Sequence, residues 1–334
     1  MFLTEGIFMK IAFFDTKEYD KQHFDVANSK FKFDLTYFEP RLNESTVLLA
    51  KGFDVVCPFV NATINEKVIE KLKEYGVKLI ALRSAGFNHV DIKAAKKAGI
   101  PVVRVPAYSP HAVAEAAFAL LLTLIRKLQH AYVRTREFNF SLSGLVGFDL
   151  YGKTIGIIGT GKIGRCAIDI AKGFGMKVLA FDPYPANIDG VEFVSFETLI
   201  READVISLHC PLTQDNYHLI NKESISKMKK GVIIINTSRG GLVESSALLE
   251  GLKTHQIGGA GLDVYEEEAG IFFSDLSIDG ISNDTLTLLI SMPNVLVTSH
   301  QAYLTTEALS HIAETTLANI NMIDSGIKCP NEVQ

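Results

Sequence analysis

Apolar residues occur along this chain in short runs, separated by polar stretches of helical period. In the N-terminal third, the strand candidates KIAFFD, FDLTYF, DVVCPF, VKLIALR and PVVRV alternate with helices predicted over Glu18 to Lys30, near Ser45, over Asn65 to Tyr75 and over Asp91 to Ala98. Such alternation predicts a parallel sheet covered by helices on both faces. A long and nearly uniformly apolar helix is expected from Ser109 to His130, and it needs cover on several sides. A second series then opens with TIGII and runs through MKVLAFD, EFVS, DVISLH, GVIIINT, GGAGLDV and NVLVTSH to a helix over Thr305 to Ser325. Two α/β domains follow. The last helix has no sheet to extend, so it is expected to cross back to the first domain, as the helix after Ser109 crosses forward. The first domain is then discontinuous, 1–108 with 304–334, and encloses a second at 109–303.

Composition adds exclusions. A chain of 334 residues, 47% hydrophobic and 21% charged, can bury two cores. Its 33 basic and 38 acidic residues give a net charge of −5 with no basic block, so no nucleic-acid partner is expected. The 4 cysteines, Cys57, Cys166, Cys210 and Cys329, form no CxxC pair, which argues against a zinc site or a disulfide framework and fits the reducing cytoplasm. No metal is expected. The apolar helix carries Glu115 and Arg126, so its uncharged run is too short for a bilayer and no membrane partner is expected. In MFLTEGIFMKIAFF no basic region precedes the apolar stretch, so no secretory signal is expected, and Met1 and Met9 are both candidate starts.

The most specific local pattern is TIGIIGTGKIGRCAIDIAKGFGMKVLAFD, Thr154 to Asp182. Gly159 ends an apolar strand in a tight turn, Gly161 lets backbone approach a pyrophosphate, and Gly164 lets the following helix pack close to the sheet. A helix starting near Lys162 aims unpaired N–H groups and a positive dipole end at that pyrophosphate. Asp182 closes the next strand, where a carboxylate accepts ribose hydroxyls and repels a 2′-phosphate. No Arg or Lys follows in PYPANIDG to receive one. The cofactor expected is NAD rather than NADP.

Four further segments stand at strand ends, where open α/β sheets place ligands: RSAGFNHVD, NTSRGG, DVYEEE and SHQAY. Arg239, after GVIIINT, can hold a carboxylate in a forked geometry and polarise a neighbouring carbonyl. His300 closes NVLVTSH, and Glu268 lies in an acidic run. An imidazole held by a carboxylate can give and take a proton near neutrality. On spacing alone, Arg239 reads equally as a surface arginine in a turn. A lone histidine is more often structural, and an acidic run is more often a solvated face. Spacing does not pair Glu268 with His300.

The segments ALRSAGFNHVD, VVRVPAYSPHAVAE, YGKTIGIIGTGKIG, VLAFDPYP, DVISLHCPLT, NTSRGG, LDVYEEE, HQAYLTTEAL and CPNE run almost end to end, and with them the chain resembles the D-isomer-specific 2-hydroxyacid dehydrogenase family. The resemblance implies a Rossmann NAD-binding domain inserted into a flavodoxin-like substrate domain. It implies NADH-dependent, reversible reduction of pyruvate to D-lactate, and the stereochemistry comes from it alone. It assigns Arg239 to the substrate carboxylate and Glu268 with His300 to acid/base catalysis, leaving Glu266 and Glu267 as unassigned spectators. By the same resemblance, the backbone N–H groups of Ala85 and Gly86 face the substrate carboxylate, Tyr108 lies beside it, and Tyr303 covers the small apolar end. The implied cofactor contacts are Gly159, Thr160, Gly161, Lys162, Ile163, Gly164, Asp182, Cys210, Pro211, Thr237, Ser238 and Asp263. Family members pair through the cofactor domain, partly by the helix here at Ser109 to His130, which implies a homo-oligomer, dimer or tetramer. Two alternatives compete: a dehydrogenase for a larger 2-keto acid, and an NAD-sensing binding protein like the resembling corepressors. The second would call for interaction motifs or disordered extensions.

Overall fold

In the computed structural model, residues 9–333 are described; the segment before Met9, with the Met1 start, lies outside them. The chain divides into two compact units, one running to Ser109 and resuming at Leu304, the other spanning Pro110–Tyr303.

The first unit holds five parallel strands, β1 (Lys10–Phe13), β2 (Asp34–Tyr37), β3 (Val55–Cys57), β4 (Leu79–Ala81) and β5 (Val102–Val103), in the order β2-β1-β3-β4-β5. That is the flavodoxin-like order. Around the sheet lie α1 (Glu18–Asn28), α2 (Glu66–Glu74), α3 (Ile92–Ala98) and the C-terminal helix Thr306–Asp324, which packs on α1. Side-chain caps set several starts: Asn65 accepts from Val68 N (3.1 Å), Asp91 from Ala94 N (2.9 Å) and Thr305 from Ala308 N (3.2 Å). The helix expected near Ser45 is a single 3-10 turn at Val47–Ala50. At the sheet's carboxyl end the buried Arg83 guanidinium donates to the carbonyls of Phe14 (3.1 Å), Cys57 (3.0 Å) and Asp15 (2.8 Å). Those bonds fix the strand ends from which Ser84, Ala85 and Gly86 continue.

The second unit holds a seven-stranded parallel sheet, β6 (Thr154–Ile158), β7 (Lys177–Phe181), β8 (Val191–Phe193), β9 (Val205–Leu208), β10 (Val232–Asn236), β11 (Ile257–Leu262) and β12 (Val295–Val297). Its order, β12-β11-β10-β9-β6-β7-β8, is the doubly wound Rossmann order with one added strand beyond β11. Flanking helices are α4 (Pro110–Ile125), α5 (Leu128–Arg136), α6 (Lys162–Gly173), α7 (Phe196–Glu202), α8 (Lys222–Lys227), α9 (Ser245–Lys253) and α10 (Asp284–Ser291). The continuous VIII run of β10 has a direct cause. Ile233 and Ile235 pack into the cluster formed with Leu121 of α4 and Ile168 of α6, while Ile234 faces Leu248 of α9 and Leu286 of α10.

The single helix expected over Ser109 to His130 is two helices. α4 stops at Ile125, and Lys127 takes a left-handed φ of 52° before α5 begins. Gly147 accounts for the stop: a Cβ there would lie 2.0 Å from the Ile125 carbonyl oxygen, so a returning loop occupies the end of α4. α4 is buried along most of its length, whereas α5 buries no residue.

Candidate active site

The switch point of the second sheet lies between β6 and β9, the strands from which the chain departs in opposite directions. There Gly159 has φ +94°, and a Cβ on it would sit 2.5 Å from Cys210 N. Only glycine fits that turn. Gly164 is equally constrained, since its Cβ would fall 2.0 Å from the Gly159 carbonyl oxygen, within the backbone that closes α6 onto the turn. Gly161, the N-cap of α6, has nothing within 4 Å of the Cβ position, so the side facing the helix N-terminus is open. We expect Gly164→Ala to destabilise this unit by about 1–3 kcal/mol and to abolish NADH binding, because the clash is with backbone. Denaturation midpoints and fluorescence titration with NADH check this, and unaltered affinity would contradict it.

Asp182 stands just after β7. Its Oδ2 accepts from Thr160 N (2.7 Å) and Thr160 Oγ1 (2.9 Å), and its Oδ1 from Tyr184 N (2.9 Å). Burial would raise this carboxyl, but these donors hold it below the usual carboxylate range. It is therefore ionised, repels a 2′-phosphate and keeps lone pairs for ribose hydroxyls. Thr160 spends its backbone N–H and its hydroxyl on Asp182, and its carbonyl accepts from Arg165 Nε (3.2 Å). Cys210 packs beside the glycine turn, its carbonyl accepting from Ser238 Oγ (2.6 Å), while Thr237 Oγ1 is buried without a hydrogen-bond partner among the described residues. Burial pushes the Cys210 thiol up to about 11, so it is no thiolate near neutrality. The open helix N-terminus, the glycine cradle and the ionised Asp182 fit a dinucleotide.

His300 and Glu268 come together through strand pairing. β11 and β12 pair in register, Leu262 with Val297, and the ladder continues past both strands as Thr298 N donates to Leu262 O (2.8 Å) and His300 N to Asp263 O (2.7 Å). His300 then turns left-handed at φ 56°. The buried Asp263 carboxylate holds that turn, accepting from Thr298 Oγ1 (2.6 Å), Gln301 N (2.8 Å) and Ala302 N (2.8 Å). His300 Nδ1 donates to Glu268 Oε1 at 3.0 Å, and Glu268 Oε2 accepts from Tyr265 N (3.1 Å). An ionised carboxylate can only accept, so the Nδ1 proton is fixed and Nε2 is left to exchange one.

Other histidines at strand ends lack this arrangement. Burial lowers both His89 and His209 to about 4, so both are neutral at neutral pH. Among the described residues neither is paired with a carboxylate: His209 Nε2 shares a hydrogen bond with Ser207 Oγ (2.9 Å), and His89 Nε2 has no hydrogen-bond partner there.

Arg239 follows β10 and is half-buried, with Nη1 donating to Ser238 O at 2.7 Å. The next residue explains the RGG sequence. A Cβ on Gly240 would lie 2.0 Å from the Tyr265 carbonyl carbon, so the Arg239 loop presses directly on the segment that leads to Glu268. Arg239, Glu268 and His300 thus stand on neighbouring strand ends of one sheet. Ala85 and Gly86 belong to the other unit, where their carbonyls accept from Arg104 Nη1 (2.8 Å) and Ser84 Oγ (2.8 Å). Tyr108 is in that unit too, and Tyr303 ends the second.

Glu266 is no solvated spectator. It accepts hydrogen bonds from Tyr217, His218 and Ser245, a set that no spacing in the acidic run announces. Glu267 accepts from Asn283 Nδ2 at 2.5 Å.

Comparison with known proteins places the chain in a family. The profile described as D-isomer specific 2-hydroxyacid dehydrogenase, NAD binding domain, matches residues 118–302. The chain is 53% identical over 328 residues to D-lactate dehydrogenase of Escherichia coli (strain K12), covering 97% of this chain and 100% of that one. The apo-structure of D-lactate dehydrogenase from Escherichia coli superposes with a TM-score of 0.91 at 51% identity, over 98% of this chain and 100% of that one. A D-lactate dehydrogenase from Lactobacillus jensenii with NAD+ gives a TM-score of 0.83 at 34% identity, with coverage of 98% and 100%. The chain belongs to the D-isomer-specific 2-hydroxyacid dehydrogenase family. It is an NAD-dependent oxidoreductase, and its seven-stranded unit is the Rossmann NAD-binding domain.

Proposed function

We propose that this protein reduces pyruvate reversibly to D-lactate with NADH. The observation that carries the proposal is the His300–Glu268 hydrogen bond on the strand ends beside Arg239, in a chain that matches a D-lactate dehydrogenase over nearly its whole length. Arg239 binds the 2-keto acid carboxylate with its guanidinium fork and polarises the adjacent ketone. Gly159, Gly161 and Gly164 admit the pyrophosphate at the N-terminus of α6, and Asp182 takes the ribose hydroxyls. Lys162, Ile163, Cys210, Pro211, Thr237, Ser238 and Asp263 line the remainder of the cofactor cleft, Asp263 also holding the turn of His300. NADH, when bound, supplies the hydride for the ketone carbon. Protonated His300 gives its Nε2 proton to the oxygen as negative charge develops there, and Glu268 stabilises the imidazolium that does so. In the oxidation direction neutral His300 takes the hydroxyl proton. The backbone of Ala85 and Gly86, with Tyr108 and Tyr303, is assigned to the substrate on the family resemblance.

We assign the run up to Ser109 and the return from Leu304 to the substrate domain. No helix among the described residues is long and apolar enough to cross a membrane, and the 4 cysteines are free, which supports a cytoplasmic location. The exposed Phe138, Phe140, Leu142, Val146 and Tyr151, all within one loop after α5, support a homo-oligomer.

The test is NADH oxidation with pyruvate, 2-ketobutyrate and 2-ketoisocaproate, with NADPH as the competing cofactor and chiral analysis of the product. Pyruvate is expected to be the best of the three, NADPH a poor replacement, and D-lactate the product. Faster turnover of 2-ketoisocaproate, or L-lactate as product, would overturn the proposal.

A further inference from the structure

We propose that Glu266 is a positioning residue that clamps the Arg239 loop to the Glu268 loop. The proposal rests on the roles given above to Arg239 and Glu268. Glu266 Oε1 accepts from Tyr217 Oη (3.0 Å) and from His218 Nε2, and Glu266 Oε2 accepts from Ser245 N (3.1 Å) and Ser245 Oγ (2.9 Å). One partly buried carboxylate thus gathers four donors from two separate segments. Burial would raise this carboxyl, but the His218, Ser245 and Tyr217 donors hold it below the ordinary range, so the clamp is an ionised one near neutrality.

The placement of those donors points to function. Ser245 begins α9, at the far end of the loop that starts with Arg239. Between them Gly240 lies on the Tyr265–Glu266 peptide, with its Cβ position 2.4 Å from Glu266 N. The Arg239 loop is therefore pinned to the Tyr265–Glu268 segment twice, once by backbone contact and once by the Glu266 carboxylate. A third segment braces the pair: His218 N donates to Gly241 O (2.8 Å), and Ile220 N to Leu242 O (2.9 Å). His218 holds a left-handed φ of 54°, a conformation that a histidine keeps where surrounding bonds fix it. Its ring stacks on Tyr217 with centroids 3.9 Å apart, so both donors reach Glu266 as one unit.

Glu268 is folded back on the same segment, through its bond from Tyr265 N (3.1 Å). Movement of this segment therefore moves Glu268 relative to Arg239, and with it the carboxylate that holds the Nδ1 proton of His300. A misplacement of about 1 Å between groups that must act together costs about 100-fold in rate. A brace of purely structural value would instead lower stability and leave the kinetics of the folded enzyme alone.

The test compares the full-length wild type with Glu266→Ala and Glu266→Gln, using whichever 2-keto acid the wild type reduces. Wild-type turnover with pyruvate bears on the functional reading, and the ratio of variant to wild type decides the clamp. We expect Glu266→Ala to retain NADH binding, to raise KM for the keto acid and to lower kcat, with kcat/KM down about 100-fold. The amide of Glu266→Gln still accepts on one side and is expected to restore kcat/KM to within about tenfold of wild type. Unchanged KM and kcat in a Glu266→Ala protein that binds NADH would overturn the proposal. If Glu266→Ala does not fold, the double variant Tyr217→Phe with His218→Ala decides. It strips one carboxylate oxygen of its donors and leaves the Ser245 bonds, and a KM rise of about tenfold is expected. No change in KM would overturn the clamp.

Discussion

Replacing His300 with alanine is expected to lower kcat for pyruvate reduction by roughly a hundred- to ten-thousand-fold while changing KM for pyruvate little. The proton is needed only as negative charge develops on the ketone oxygen, so its loss weakens the transition state and not the ground-state complex. The Nδ1 bond to Glu268 at 3.0 Å fixes which nitrogen keeps its proton and leaves Nε2 as the one that exchanges. Reduction uses a protonated imidazole and oxidation a neutral one, so the rates in the two directions are expected to respond to pH in opposite senses. Single-turnover kinetics in both directions would test this. Unchanged turnover in His300→Ala, or a chemical step independent of pH, would remove His300 from the mechanism. His209→Gln offers the contrast: burial holds His209 near 4, so it stays neutral throughout the neutral range, and its replacement should leave the shape of the pH profile intact.

Arg239→Lys is expected to lower kcat for pyruvate reduction by roughly a hundred- to a thousand-fold, and KM should rise as well. Lysine keeps the charge but not the planar fork, so it can bind the carboxylate as a point charge without holding the ketone in line. The two effects separate in measurement. The two-pronged contact with the carboxylate binds substrate in the ground state and appears in KM, while polarisation of the ketone grows toward the transition state and appears in kcat. Steady-state kinetics with pyruvate, with NADH affinity measured alongside, would show both. A lysine variant with wild-type kcat would mean that Arg239 only binds.

What the sequence made legible follows from distance along the chain. Gly159, Gly161, Gly164 and Asp182 act within one strand–turn–helix–strand unit, so their spacing encodes their geometry. His300 and Glu268 meet only because β12 lies beside β11, and residue spacing does not state strand order. Family resemblance supplied that pairing, and the ladder between Leu262 and Thr298 gives its physical cause. Three adjacent glutamates have identical side chains, and only their partners distinguish them: Tyr217, His218 and Ser245 for Glu266, Asn283 for Glu267, and His300 for Glu268. The break between α4 and α5 was hidden for another reason. No glycine or proline marks it, and the obstruction comes from Gly147, remote in sequence.

The division of the chain also bears on how the protein is made. Residues 110–303 form a contiguous unit whose sheet can close while synthesis continues. The unit that starts first must wait longer, because α1 packs on the helix Thr306–Asp324, which leaves the ribosome only after the whole intervening unit has done so. Until then the face of α1 that packs on that helix stays uncovered. Strands β1 to β5 are translated before the intervening unit yet belong to a unit that is completed after it.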